Sequence, residues 1–106
     1  MRMQSDLRRR LRKAGCAEIN FAGFVPVSHP VLSRWLNRQI QFRPERLRQI
    51  AVALRFVEAT AAGSRLPVDF RDKRLLVLAR EHRRKAHAEA EKSTHAHEDV
   101  EAERAS

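Results

Sequence analysis

A single cysteine, Cys16, excludes an intrachain disulfide, and standing alone it reads as a small buried residue rather than a reactive thiol. The three glycines are scattered, so no loop is rich enough in glycine to cradle a phosphate. No apolar run is long enough to span a bilayer as a helix, and no membrane partner is expected. Met1-Arg2-Met3-Gln4 leads into arginine-rich sequence without the apolar centre of a secretory signal, and the chain is read as intracellular. Carboxylate pairs in an apolar setting, a nucleophile beside a base, and clusters of metal ligands are all missing. His95 and His97 have no cysteine or clustered partner, so neither a metal, a cofactor nor enzymatic activity is expected.

Acidic residues are scarce in one half only. Through Phe56 there are twelve Lys and Arg against three Asp and Glu, and from Val57 onward ten against ten, so the whole formal charge of +9 belongs to the first half. Localised positive charge on a folded unit favours a polyanionic partner, because binding releases the polyanion's condensed counterions. A length of 106 residues with 42% apolar content suits one packed domain and a tail.

What is present is helical periodicity. Ser28–Asn37 reads as a helix with a dry face and a presenting face: Leu32, Trp35 and Leu36 form one stripe, while Pro30, Ser33, Arg34 and Asn37 project opposite, with Arg38 on the flank. Ser28 is a good N-cap, and Pro30 is tolerated in the first turn, where its missing amide hydrogen would have no partner. Before it, Ser5–Ala14 predicts a helix capped by Ser5, with Leu7, Leu11 and Ala14 inward, five basic residues from Arg8 to Lys13 around the rest, and Gly15 as the stop. Ala17–Phe24 predicts a short, poorly capped helix with Ile19, Phe21, Ala22 and Phe24 as its apolar content. Pro26 then disfavours a helical Val25 and turns the chain. The two short helices so joined predict a helix-turn-helix.

Residues 38–43 read as a loop that leaves Ile40 and Phe42 to be covered, and Pro44 opens a helix with Leu47, Ile50, Ala51 and Leu54 on one face and Val52 and Phe56 on the other. Ala61–Arg65 breaks the pattern. Asp69, with Asp72 as an approximate capping box, predicts the start of a last helix, in which Leu75 to Ala79 are apolar on every side and therefore covered on more than one. From Ala86 to the end two basic residues face six acidic ones, which predicts an acidic disordered tail. The expected architecture is all-α: a bundle of about five helices, with a helix-turn-helix unit over residues 1–62, a packing or dimerising helix over 63–92 and the tail over 93–106.

Gly15, Ala22, Val27-Ser28, Ser33-Arg34-Trp35-Leu36-Asn37 and the segment Pro44-Glu45-Arg46-Leu47-Arg48-Gln49-Ile50-Ala51-Val52-Ala53-Leu54 together resemble the lambda-repressor-like family of helix-turn-helix DNA-binding domains, the Cro/C1 or XRE type. The register from Gly15 to Leu54 needs no gap. The chain departs from the pattern at Ala17-Glu18, where relatives usually carry Thr-Gln, at Pro26 in place of the turn glycine, and at Pro30, where relatives commonly contact bases.

The resemblance implies a sequence-specific regulator of transcription, a repressor of phage or mobile-element type, bound as a dimer to double-stranded DNA and associated with the nucleoid. The recognition helix would enter the major groove, with Arg34 bidentate to guanine and Ser33, His29 and Arg38 as further base contacts. Arg8, Arg12, Asn37, Arg43 and Arg46 are expected at phosphates, the last two beside the positive end of the fourth helix. Glu18 would repel phosphate unless an arginine pairs with it. The expected dimer or partner contact is Phe70, Leu75, Leu76 and Leu78, with Ile40 and Phe42 as the alternative. Two other functions fit the sequence: an antitoxin or partner-binding adaptor using the last helix and acidic tail, and an RNA-binding protein using the arginine-rich first helix.

Overall fold

A computed structural model describes residues 2–105, with side chains described for residues 3–89. It is all-helical: α1 (Arg2–Ala14), α2 (Glu18–Phe24), α3 (His29–Leu36), α4 (Pro44–Ala62) and α5 (Lys73–Ala105). The expected acidic tail over 93–106 lies beyond the described side chains.

α4 is the centre of the bundle, in contact with α1, α2 and α5, because it is apolar on two adjacent sides. Ile50, Leu54 and Val57 are buried on it together with Ala53 and Phe56, so it can be covered from both directions. Of the second stripe, Phe56 is covered within the chain, its ring meeting Phe24 edge-on at 5.6 Å and His82 of α5 at 5.7 Å, while Val52 is half-buried. Phe21, Phe24, Val25, Leu7, Leu11 and Leu32 complete a core with no buried polar or charged residue among those described.

Several helix ends follow local chemistry. Gly15 takes φ +76°, a left-handed conformation that suits glycine at a helix end, and the Cys16 amide closes onto the Leu11 carbonyl at 3.0 Å. Ala17 gives α2 no side-chain cap. Cys16 is buried, and loss of water pushes its thiol up to about 12.

Three local expectations are corrected. α1 begins at Arg2, one turn before Ser5, so Ser5 lies inside the helix and does not cap it. Val25 keeps helical dihedrals although it precedes Pro26 across a cis peptide; it is fully buried and its amide bonds the Phe21 carbonyl, and these outweigh the steric preference. α5 starts at Lys73, not Asp69: Asp72 receives the Arg74 amide at 3.0 Å, while Asp69 receives the Arg71 amide at 3.0 Å in a separate turn just before.

An ion pair ties α1 to α4 at the surface. Arg10 donates through Nε to Glu58 Oε2 at 2.8 Å and through Nη2 to Oε1, and this bonding holds the Glu58 carboxyl below its ordinary value. No helix among the described residues is long and apolar enough to cross a membrane.

Candidate nucleic-acid interface

The site is built on α3. The Ser28 hydroxyl accepts the Val31 amide at 3.4 Å, and Pro30 occupies the first turn, so the chain enters the helix capped as its sequence predicts. Leu32, Trp35 and Leu36 are sealed inward, the indole only 3% exposed. Phe42 lies nearly parallel to that indole at 5.3 Å, which folds residues 38–43 back against α3. Beyond Asn37, Arg38 adopts φ 62°, and the Arg38 and Gln39 amides close the last turn on the carbonyls of Trp35 and Arg34.

With the back of α3 sealed, its outward ridge is fixed by helical geometry as Pro30, Arg34 and Asn37, all exposed, with His29 and Ser33 half-buried on the flank. The Arg34 guanidinium has no hydrogen-bond or ion-pair partner among the described residues. It stands on the exposed side of a helix whose other side is packed into the core.

The residues around that ridge divide. Arg8 donates from Nε to Glu18 Oε1 at 3.0 Å and from Nη2 to Asn37 Oδ1 at 3.0 Å, binding the start of α2 to the end of α3. This is the pairing Glu18 needed, and it engages two expected phosphate contacts, Arg8 and Asn37, with each other. Arg46 is engaged too: Nη1 donates to the Pro26 carbonyl at 2.9 Å and to Gln49 at 3.0 Å, pinning the first turn of α4 to the bend before α3. Arg12 and Arg43 are exposed and unpartnered among the described residues, Arg12 one turn beyond Arg8 and Arg43 at the N-cap of α4. No sequence signal separates Arg43 from Arg46; the neighbour that captures Arg46 is a main-chain carbonyl twenty residues away.

The expected association surface is partly withdrawn. Phe70 is buried edge-on to Phe24 at 6.2 Å, and Leu75 is half-buried against the core, so neither is available as an outer contact. Ile40 and Phe42 are also half-buried within the chain. Leu76, Val77 and Leu78 remain open, at 40%, 54% and 50% exposure. Of the apolar content of α2, Ile19 is 61% exposed, because the short helix turns Phe21, Ala22 and Phe24 to the core.

Among the described residues no three His, Cys, Asp or Glu side chains converge as a metal would require; His95 and His97 lie outside the described side chains. No family model, no curated protein and no solved structure matches this chain.

Proposed function

We propose that this chain binds double-stranded DNA sequence-specifically through α3 and regulates transcription, with α2, the bend at Pro26 and α3 acting as a helix-turn-helix. The observation that carries the reading is the unpartnered Arg34 guanidinium on the exposed ridge of a helix whose opposite face is sealed by Trp35. A major groove admits one such helix, and an arginine there meets guanine O6 and N7 together. Arg12 and Arg43, both open, supply sequence-independent phosphate contact. Localisation with the nucleoid in the cytoplasm follows from this activity.

The proposal extends to a homodimer through the open apolar residues Leu76, Val77 and Leu78 of α5, which would set two recognition helices on half-sites about one turn, roughly 34 Å, apart. The same residues are what a protein partner would use in the adaptor reading. Light scattering at micromolar concentration separates the two: a mass of two chains supports the dimer, and a mass of one overturns it. For RNA binding through α1, Arg8, Arg9 and Arg10 are engaged by carboxylates while Arg12 stays open, so competition of duplex DNA against RNA decides between the two readings.

Selection of bound duplexes from a random pool tests the main reading. Enrichment of a motif that loses its preference at one base pair with Arg34→Ala supports it. A pool without enrichment, or equal losses by Arg34→Ala on selected and random duplexes, overturns it.

A further inference from the structure

Two residues of α3 are exposed, Pro30 and Arg34, and their chemistry is opposite. At about 100° per residue, Pro30 and Arg34 differ by roughly 40° in projection and by one turn, about 6 Å, along the axis. Both are exposed. The third ridge residue, Asn37, has its carboxamide oxygen held by Arg8. Ser33 lies half-buried on the flank, and a serine hydroxyl bonds donors and acceptors alike, so it discriminates poorly between bases.

Pro30 has no amide hydrogen and no polar side-chain atom, so a base edge can meet its ring only by apolar contact. On the floor of the major groove the apolar feature is the C5 methyl of thymine. We infer that the exposed ridge of α3 selects a two-part pattern, a guanine through Arg34 and a thymine methyl through Pro30. A separation of about 6 Å against roughly 3.4 Å per base pair sets the two about two steps apart, and the reach of the arginine widens this to between one and three. The inference rests on the DNA-binding reading above and adds the base pattern to it.

The test uses the full chain and the duplex selected from the random pool. The guanine is identified as the position whose preference Arg34→Ala abolishes, and each thymine within three base pairs of it is then replaced by deoxyuridine, which removes only the methyl. One replacement is expected to weaken binding about fourfold, the loss for one buried methyl-sized group. Pro30→Ser, a small polar residue suited to the first turn of a helix, is expected to abolish the difference between thymine and deoxyuridine at that position.

If all such deoxyuridine duplexes bind as tightly as the parent, or if Pro30→Ser retains the difference, the inference is overturned. It is overturned as well by a selected motif with no thymine within three base pairs of the guanine; in that case DNA binding stands and only the Pro30 assignment falls. The absence of any enriched motif removes both. The deoxyuridine series needs only the unmodified chain, so it decides the matter even where Pro30→Ser fails to fold.

Discussion

On α1, Arg8 bonds Glu18 and Asn37, Arg9 bonds Asp6, and Arg10 reaches Asp6 and Glu58, whereas on α3 the guanidinium of Arg34 bonds nothing among the described residues. α1 carries five basic residues in its last seven positions and α3 a single arginine, yet three of the five are engaged by carboxylates, Arg12 stays open, and the lone arginine of α3 is as open as any of them. A count of positive charge therefore measures attraction at long range, not the groups available at contact. Availability depends on whether the fold brings a carboxylate or carbonyl alongside, and around α1 it brings Glu18 and Glu58 from other helices.

The comparison breaks hardest across the two faces of α3 itself. Trp35→Ala removes a buried indole and its stack with Phe42 and is expected to destabilise the fold by about 3–5 kcal/mol, read by denaturant unfolding. Its neighbour Arg34→Ala is expected to change stability by less than about 0.5 kcal/mol, as for an exposed side chain with no partner. A large stability loss at Arg34 would mean that the guanidinium is structural, and the contrast with α1 would disappear.

On DNA the ranking reverses. Arg34→Ala is expected to cost about 1–3 kcal/mol on the selected duplex and to relax one base pair, whereas Arg43→Ala weakens all duplexes alike and lowers the salt dependence by about one ion, checked by titration at several salt concentrations. Arg46→Ala sharpens the point. Because Arg46 holds the Pro26 carbonyl, its loss should loosen the bend before α3 and lower stability as well as binding, which separates it from Arg43.

The smallest effect concerns the engaged arginines. Both Arg10 and Glu58 have more than a third of their side-chain surface exposed, so solvent screens the pair and its loss in Glu58→Gln is expected to cost only about 0.2–1 kcal/mol. The sign with pH is definite. The hydrogen bond from Arg10, aided by its charge and opposed by desolvation, holds the folded-state carboxyl below its ordinary value of 4.5. Its stabilisation is complete above that value and disappears as pH falls through the lower folded-state one. Thermal melts of parent and Glu58→Gln should therefore differ most near neutrality and converge in acid. A gap that persists in acid would show that the pair is not its source.

The stripe of α3 was legible because a period of 3.6 residues leaves little freedom: once Leu32, Trp35 and Leu36 are inside, Pro30, Arg34 and Asn37 must be outside. The stop at Gly15 and the cap at Ser28 were legible for the same local reason. Phe70 and Ile19 were not, since each is apolar and the sequence does not say which has a neighbour. Phe24 covers the first, and nothing described covers the second. Ser5 misled because a capping residue marks only one possible helix start, and the helix runs past it to Arg2.

By itself the sequence determined the helices, the dry side of α3 and the concentration of positive charge before Val57, because these depend on periodicity, capping chemistry and composition within a few turns of chain. Which arginines remain open was decided only by the tertiary structure. Glu18, Glu58 and the Pro26 carbonyl lie 10, 48 and 20 residues from the arginines they engage, and only folding brings such separations within hydrogen-bond reach.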